Sequence, residues 1–325
     1  AALMTDAIRG NLLEYSGYKT QILEFIDLQH TPKNILIRAE KSNVKNERKE
    51  KAVGEAMDLN HGLAFAPRKM NIKAGDYSDC KDAGLVVITA GVNQKDGETR
   101  THLLNRNAGI IKSVVKDIMS SGFDGILLVA SNPVDVLAYV AWKESGLDKS
   151  RVIGSGTILD TARLRYEISK IVNIDTRNVH AYILGEHGDS EFVCWSSANI
   201  GAKSINDVLK DMDEISFNDL DKIYVKVRDA AYEIIKRKKA TYWGVGMSLV
   251  RITKAIFNNE NSIMPVSVLN TGEYNCEKDV YIGLPAVINR KGVHHIVKLP
   301  LNADETNKLK HSATILRNNL DSIEY

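Results

Sequence analysis

Cysteine is scarce in this sequence, and its spacing excludes two classes of protein. The three cysteines, Cys80, Cys194 and Cys276, lie far apart along 325 residues. They lack the paired spacing that holds zinc, and they are too few for the disulfide framework of a small secreted domain. We therefore expect no metal site and a reducing, cytoplasmic location.

Long apolar runs and an excess of one charge are also missing. No apolar run approaches the roughly 18 residues of a membrane-spanning helix, and the first residues lack the basic and apolar regions of a signal peptide. Basic residues number 43 and acidic residues 41, a net charge of only +2. Neither nucleic acid nor a membrane is therefore expected as a partner, and small metabolites are the expected ligands. A hydrophobic content of 44% is enough for a large core divided into two lobes.

Two apolar segments that end in polar loops indicate where a ligand would bind. Residues 84–89 lead into the polar loop 90–100, and residues 125–130 lead into 131–135. In an open α/β sheet, ligands bind beyond the carboxyl ends of the strands, so the two loops are expected to meet at one crevice. Apolar strands alternate with helical segments up to about residue 155, which predicts a Rossmann-type parallel sheet with crossover helices.

Beyond residue 155 the pattern is that of a second, α+β domain. Apolar spacing and turn signals predict helices over 219–238 and 247–256 and strands over 279–288 and 292–297. A closing helix is expected over 303–320, because Asn302 can cap its first turn and acidic residues follow.

The strongest candidate for acid–base chemistry is His187, in a glycine-containing turn. Histidine has an unperturbed pKa of about 6.5, and a carboxylate on one ring nitrogen leaves the other free to exchange protons near neutrality. Asp160 is the natural partner. Arg163 follows three residues later, on the same face of a helix, and its planar guanidinium suits a carboxylate ligand. The three residues predict a site for a small acid with a reactive carbon.

The order and spacing of these segments resemble one enzyme family. Segments 84–100, 125–135, 159–163 and 183–190 together are similar to the L-lactate dehydrogenase branch of the NAD-dependent lactate/malate dehydrogenase family, and the resemblance runs from about residue 50 to the C-terminus. It implies reversible hydride transfer between NADH and pyruvate, giving L-lactate.

That resemblance implies roles for the three candidate residues and for four others. His187 is the proton donor and acceptor, Asp160 its partner and Arg163 the anchor of the substrate carboxylate. Among the other four matches, Arg100 polarises the substrate carbonyl and Asn132 hydrogen-bonds the oxygen of that carbonyl. Thr241 lines the pocket, and the fourth match is Gln94. Malate dehydrogenases of the family carry an arginine at the position of Gln94, so glutamine favours pyruvate and lactate over oxaloacetate and malate.

The resemblance also implies an NAD site, an effector site and an assembly. The residues expected at NAD are Gly91 and Val92 near the pyrophosphate, Tyr77 and Ser113 near the adenosine, and Ala130, Ser131, Asn132 and Ser155 near the nicotinamide. Arg165 and His180 match positions at which allosteric bacterial relatives bind fructose 1,6-bisphosphate across a subunit interface. An ordinary surface arginine and histidine are the alternative. Family members are usually homotetramers.

Residues 1–49 depart from the family pattern. A dinucleotide-binding domain should begin with a strand, Gly-x-Gly-x-x-Gly and a helix, but only Gly10 and Gly17 occur here. The segment is either a degenerate strand–helix–strand unit over 11–39, with Glu40 as the ribose acid, or a stretch foreign to the family that replaces the first strand. The second interpretation is favoured.

Three regions and three functions follow from these observations. We expect an atypical segment over 1–49, a dinucleotide-binding domain over 50–155 and a substrate domain over 156–325. The favoured function is an NAD-dependent L-lactate dehydrogenase. The alternatives are a catalytically impaired or silent protein of the same fold and a dehydrogenase for malate or another L-2-hydroxy acid.

Overall fold

The computed structural model of the protein describes residues 45–66, 69–92, 99–212 and 217–323. The strand–helix–strand unit considered over 11–39, Glu40 and the loop residue Gln94 lie outside these residues. The α-helices of the described part are α1 (Lys45–Gly62), α2 (Arg100–Ser120), α3 (Val134–Ser145), α4 (Ile158–Val172), α5 (Ile205–Lys210), α6 (Phe217–Lys238), α7 (Trp243–Phe257) and α8 (Ala303–Asp321). The strands are β1 (Leu85–Ile88), β2 (Ile126–Val129), β3 (Val152–Gly154), β4 (Val179–His180), β5 (Ile183–Leu184), β6 (Phe192–Val193), β7 (Asn199–Ile200), β8 (Lys203–Ser204), β9 (Ser262–Asn270), β10 (Val280–Asn289) and β11 (Gly292–Ile296).

The largest sheet combines parallel and antiparallel strands. Its order is β1-β2-β3-β9-β10-β11. The first three strands are parallel, whereas β9, β10 and β11 are antiparallel to their neighbours. Two small sheets, β4-β7-β8 and β5-β6, complete the second half of the chain. This arrangement confirms the predicted α/β class, a parallel sheet followed by an α+β region.

The parallel strands are buried along their whole length because helices cover them. All four residues of β1 and all four of β2 are buried, as expected for a parallel strand covered on both faces. The entry to β2 requires glycine, because a Cβ on Gly125 would lie 2.7 Å from the carbonyl oxygens of Ala83 and Gly84. The starts of β1 and β2 are thereby fixed next to each other.

The second half of the chain has its own apolar core. It is formed by α4, α5, α6 and the small sheets, with Leu164, Ile183 and Val227 among its buried residues. The predicted helices and strands of this half are confirmed. At α8, the Asn302 side chain accepts from the Glu305 backbone and the Glu305 side chain accepts from the Asn302 backbone, which is a full capping box. None of the described helices is long and apolar enough to cross a membrane.

Candidate active site

His187 lies on the loop that follows β5, and the local backbone explains its position. Gly185 has a φ of +98°, a conformation that side chains other than glycine rarely adopt, and a Cβ there would lie 2.8 Å from Ser312 Oγ. Ser312 also accepts a hydrogen bond from the Glu186 backbone at 2.6 Å. The loop therefore turns sharply at Gly185 and is anchored to α8 before His187.

His187, Asp160 and Arg163 come together as the sequence predicts. His187 Nδ1 lies 2.6 Å from Asp160 Oδ2, and Arg163 Nη1 donates to Asp160 Oδ1 at 2.9 Å. Asp160 and Arg163 share a face of α4, whose first turn contains the buried Asp160. No described residue forms a hydrogen bond with His187 Nε2, so this nitrogen is available to a ligand.

Electrostatics favour a charged imidazolium–carboxylate pair. Burial works to lower the pKa of His187, but the Asp160 charge and hydrogen bond outweigh it and raise that pKa to about 9. Burial likewise works to raise the pKa of Asp160, but the attraction and hydrogen bond from His187 and the Arg163 charge hold it below its usual value. Near neutral pH, His187 therefore has a proton to donate.

A second carboxylate, Asp135, holds the His187 backbone, a contact that sequence reasoning missed. Asp135 lies in the first turn of α3 and is 2% exposed. It accepts from the His187 backbone N–H at 2.8 Å and from the Ser267 hydroxyl at 2.6 Å. Burial raises its pKa to about 6. The only sequence signal is its place six residues after the end of the apolar strand β2, because its partners are distant in the chain.

A third acid, Glu191, completes the cluster. It is 5% exposed, and its carboxylate, Asp160 and His187 offer ligand atoms that all lie within 4.8 Å of one another. Burial and the nearby Asp160 charge raise the pKa of Glu191 to about 9. These atoms could geometrically share a cation, but Arg163 already supplies a positive charge to Asp160, and the raised pKa of Glu191 favours its neutral form. We therefore interpret the cluster as one for proton chemistry.

The structure locates the other substrate candidates less completely. Asn132 lies in the loop between β2 and α3, and Thr241 is half-buried just before α7. Within the described residues, neither forms a hydrogen bond with His187, Asp160 or Arg163. Arg100 begins α2, but its side chain is outside the description, as is all of Gln94.

The candidate cofactor residues gather where β1, β2 and β3 end. The Ala130 backbone donates to Ile88 at 2.9 Å, the Ser131 hydroxyl to the Ala90 carbonyl at 2.5 Å, and the Ser155 backbone to Val129 at 2.8 Å. The Ser131 hydroxyl thus ties the two strand ends together. Ser113 lies farther along α2.

Two features, one after β1 at Gly91 and one before β1 at Tyr77, fit a bound nucleotide. Gly91 is exposed and has no positive φ, and a Cβ there would meet Asn107 Oδ1 only at an ordinary 3.6 Å. Neither the backbone nor the packing of the described residues requires glycine here, and the missing side chain leaves the backbone open to close approach of a ligand. Tyr77 Oη is buried without a hydrogen-bond partner among the described residues, which leaves a donor for an adenosine group.

The two effector candidates lie on adjoining segments. Arg165 Nε donates to the Ala181 carbonyl at 3.1 Å, and its guanidinium lies 5.0 Å from the Tyr182 ring centroid. His180 is the exposed last residue of β4, directly before Ala181.

The parallel sheet and the α+β region that carries the histidine–carboxylate pair match the two domains of an NAD-dependent dehydrogenase family. The family model for the lactate/malate dehydrogenase NAD binding domain matches residues 37–154, and the model for the alpha/beta C-terminal domain matches residues 157–325. The chain belongs to the lactate/malate dehydrogenase family.

Several relatives and solved structures are similar over most of the chain. L-lactate dehydrogenase 2 of Bacillus cereus is 57% identical over 267 residues, covering 82% of this chain and 85% of the relative. L-lactate dehydrogenase of a Geobacillus species is 56% identical over 269 residues, covering 83% and 84%. The crystal structure of MGS-M5, a lactate dehydrogenase from a Medee basin deep-sea metagenome library, has a TM-score of 0.84 and 78% identity, covering 86% of this chain and 88% of that one. The ligand-bound minor L-lactate dehydrogenase of Enterococcus mundtii has a TM-score of 0.83 and 48% identity, covering 85% and 88%.

Proposed function

We propose that the chain is an NAD-dependent L-lactate dehydrogenase that interconverts pyruvate and L-lactate. The hydrogen-bonded His187–Asp160–Arg163 arrangement carries the proposal, because it combines a proton donor with a carboxylate anchor. The similar Bacillus and Geobacillus proteins bear the name L-lactate dehydrogenase. No observation favours the silent or malate-specific alternatives.

Proton transfer is the task of His187. Asp160 holds Nδ1 at 2.6 Å, so the proton exchanged with substrate is on Nε2. In pyruvate reduction the imidazolium gives this proton to the oxygen that becomes the lactate hydroxyl, and in lactate oxidation the neutral ring takes it back. Asp160 stabilises the charged form in both directions.

Orientation is the task of Arg163. One of its nitrogens binds Asp160 at 2.9 Å, and the remaining N–H groups of the guanidinium can take the substrate carboxylate. The side chain is 14% exposed, so this ion pair would be screened little by water. Because the carboxylate does not change during the reaction, Arg163 governs orientation more than barrier height.

The remaining substrate roles follow from the family match. Arg100 and Asn132 direct donors at the carbonyl oxygen, and loss of one such donor typically costs on the order of 3 kcal/mol of transition-state stabilisation. In this proposal Thr241 lines the pocket, and a glutamine at position 94 leaves room for the methyl group of pyruvate.

NAD supplies or accepts the hydride when it is bound. Of the residues assigned to hold it, Gly91 and Tyr77 have the structural support described above. Val92 would lie with Gly91 at the pyrophosphate and Ser113 with Tyr77 at the adenosine. The assignments at the nicotinamide end are Ala130, Ser131, Asn132 and Ser155.

Regulation, assembly and location are further parts of the proposal. Arg165 and His180 form a basic pair for fructose 1,6-bisphosphate between subunits of a cytoplasmic homotetramer. Exposed apolar side chains on α1, α4 and α6, including Met57, Tyr166 and Tyr232, support association. The proposed regions are an atypical segment over 1–49, a dinucleotide-binding domain over 50–155 and a substrate domain over 156–325.

The test is NADH oxidation by the purified full chain with pyruvate or oxaloacetate. We expect turnover with pyruvate, and we expect His187→Asn to lower kcat about a thousandfold while NADH affinity is kept, because only the proton donor is lost. Undiminished turnover in His187→Asn would remove this residue from the mechanism. A preference for oxaloacetate would contradict the substrate assignment.

A further inference from the structure

Asn107, in the middle of α2, joins the two loops at the edge of the sheet. Its side chain is 2% exposed. Oδ1 accepts from the Val92 backbone N–H at 2.9 Å, and Nδ2 donates to the carbonyl oxygens of Val92 at 3.3 Å and Asn132 at 3.2 Å. One amide therefore bonds both the loop after β1 and the loop after β2.

These bonds connect the two loops beyond the last paired residues of β1 and β2. The ladder between β1 and β2 ends at Ile88 and Val129, and the Ser131 hydroxyl extends the connection to Ala90. Farther out, the Val92 side chain is 41% exposed, yet both backbone groups of Val92 bond to the buried amide. An asparagine amide has two N–H donors and one oxygen acceptor, and all three are used here.

We propose that Asn107 is a positioning residue that fixes the spacing between the Gly91–Val92 backbone and Asn132. The inference rests on the proposed function, which places Gly91 and Val92 at the NAD pyrophosphate and Asn132 at the substrate oxygen. Asn107 contacts neither ligand in this account. It acts on catalysis by holding the side chain of Asn132 in register with the nucleotide.

The substitution that tests this directly is Asn107→Asp, which preserves size. The remaining oxygen can still accept from the Val92 N–H, but the second oxygen would face the carbonyl oxygens of Val92 and Asn132 where two donated hydrogen bonds had been. The two loops should therefore separate. Asn107→Leu removes all three bonds and serves as the more severe variant.

A double-mutant cycle with Asn132→Ala distinguishes positioning from general destabilisation. At saturating NADH, we expect Asn107→Asp to lower kcat/KM for pyruvate by about tenfold to a hundredfold, the effect of displacing a catalytic group by about 1 Å. In the Asn132→Ala background the same change should cost less than about twofold, because the side chain being positioned is already gone. Full additivity of the two effects would overturn the proposal.

Asn270 offers a matched control for loss of a buried amide. It is 1% exposed, and its amide donates to Glu277 O at 2.6 Å and accepts from Glu273 N at 3.0 Å, within the turn after β9. Asn270→Asp should lower Tm as Asn107→Asp does but leave kcat/KM unchanged. An equal loss of kcat/KM in Asn107→Asp and Asn270→Asp would mean that Asn107 contributes only to stability and does not position Asn132.

Deuterium exchange at the Val92 amide tests the three Asn107 hydrogen bonds, called the clamp below, without measuring enzyme activity. The Val92 amide should be protected in the native chain, and in Asn107→Leu, if that variant folds, it should exchange like a solvent-exposed amide. Rapid exchange of this amide in the native chain would overturn the clamp itself. A native chain that protects Val92 but does not turn over pyruvate would overturn the proposed function and leave the clamp standing.

Discussion

Three acids surround His187, and each affects it differently. Asp160 binds the ring, Asp135 binds the backbone N–H, and Glu191 lies close by with a raised pKa. The contact of Asp160 with the ring raises the pKa of His187, whereas the contact of Asp135 with the backbone fixes the position of the residue. Asp135 therefore contributes both to the position of His187, through the backbone bond, and to its raised pKa, through its charge.

Removal of the Asp160 charge should move the pH profile of pyruvate reduction. Reduction needs protonated His187, whose pKa is raised to about 9, so kcat/KM should be level at neutral pH and fall as the pH rises through about 9. In Asp160→Asn the charge is lost while burial still lowers the pKa of His187, so the fall should begin at a clearly lower pH than in the native chain. Initial rates over a range of pH measure both profiles. If kcat/KM of Asp160→Asn falls at the same high pH as that of the native chain, the fall is caused by the titration of a group other than His187.

The proposed function assigns substrate choice to Gln94. Gln94→Arg would place a cation where the family's malate enzymes meet a second carboxylate, so the ratio of kcat/KM for oxaloacetate over pyruvate should rise by about tenfold or more. Gln94→Leu is the uncharged control and should not favour oxaloacetate. If the ratio is unmoved by Gln94→Arg, Gln94 does not line the pocket.

At the scale of elements, Asp135 is the point where three segments meet. The start of α3, the loop after β5 and strand β9 are joined by its two hydrogen bonds to His187 and Ser267. Each bond is made inside the protein, where an unsatisfied donor costs about 1–3 kcal/mol. The loop that carries His187 is thus fixed to α3 and, through Asp135 and Ser267, to strand β9 of the large sheet.

Asp135→Ala should therefore loosen the histidine loop. We expect the free energy of unfolding to fall by about 2–4 kcal/mol, because the His187 N–H loses its acceptor and a small cavity forms. Ser267→Ala keeps the bond to His187 and should cost only about 1 kcal/mol. Urea unfolding of the two variants compares these losses, and equal losses would mean that the bond to His187 contributes nothing.

The elements were more predictable than the contacts between them. Periodic apolar residues and the Asn302 cap predicted α6 and α8 because helix signals are local in sequence. His187, Asp160 and Arg163 were found because their chemistry is recognisable as a motif. The partner of Asp135 is 52 residues away, and the carbonyl of Asn132 is 25 residues from Asn107, so no local pattern connects them. In the sequence Glu191 has the pattern of an ordinary polar loop residue, and only the folded structure reveals that it is buried.

For the whole molecule, the site joins two differently built regions. The sheet edge proposed to bind the nucleotide belongs to the parallel strands and their large core. Arg163 belongs to α4, which helps form the second core. His187 is held from both sides, by Asp135 on α3 and by Asp160 on α4. Catalysis by this arrangement requires that the first region bind NAD.

Direct titration of the purified full chain with NADH tests that requirement. The account predicts saturable binding at one site per chain, seen as a change in NADH fluorescence, with the bound cofactor oxidised when pyruvate is added. His187→Asn should bind NADH equally well and leave it unoxidised, which separates cofactor binding from proton transfer. A folded chain that shows no saturable NADH binding would contradict the central claim that this protein is an NAD-dependent dehydrogenase.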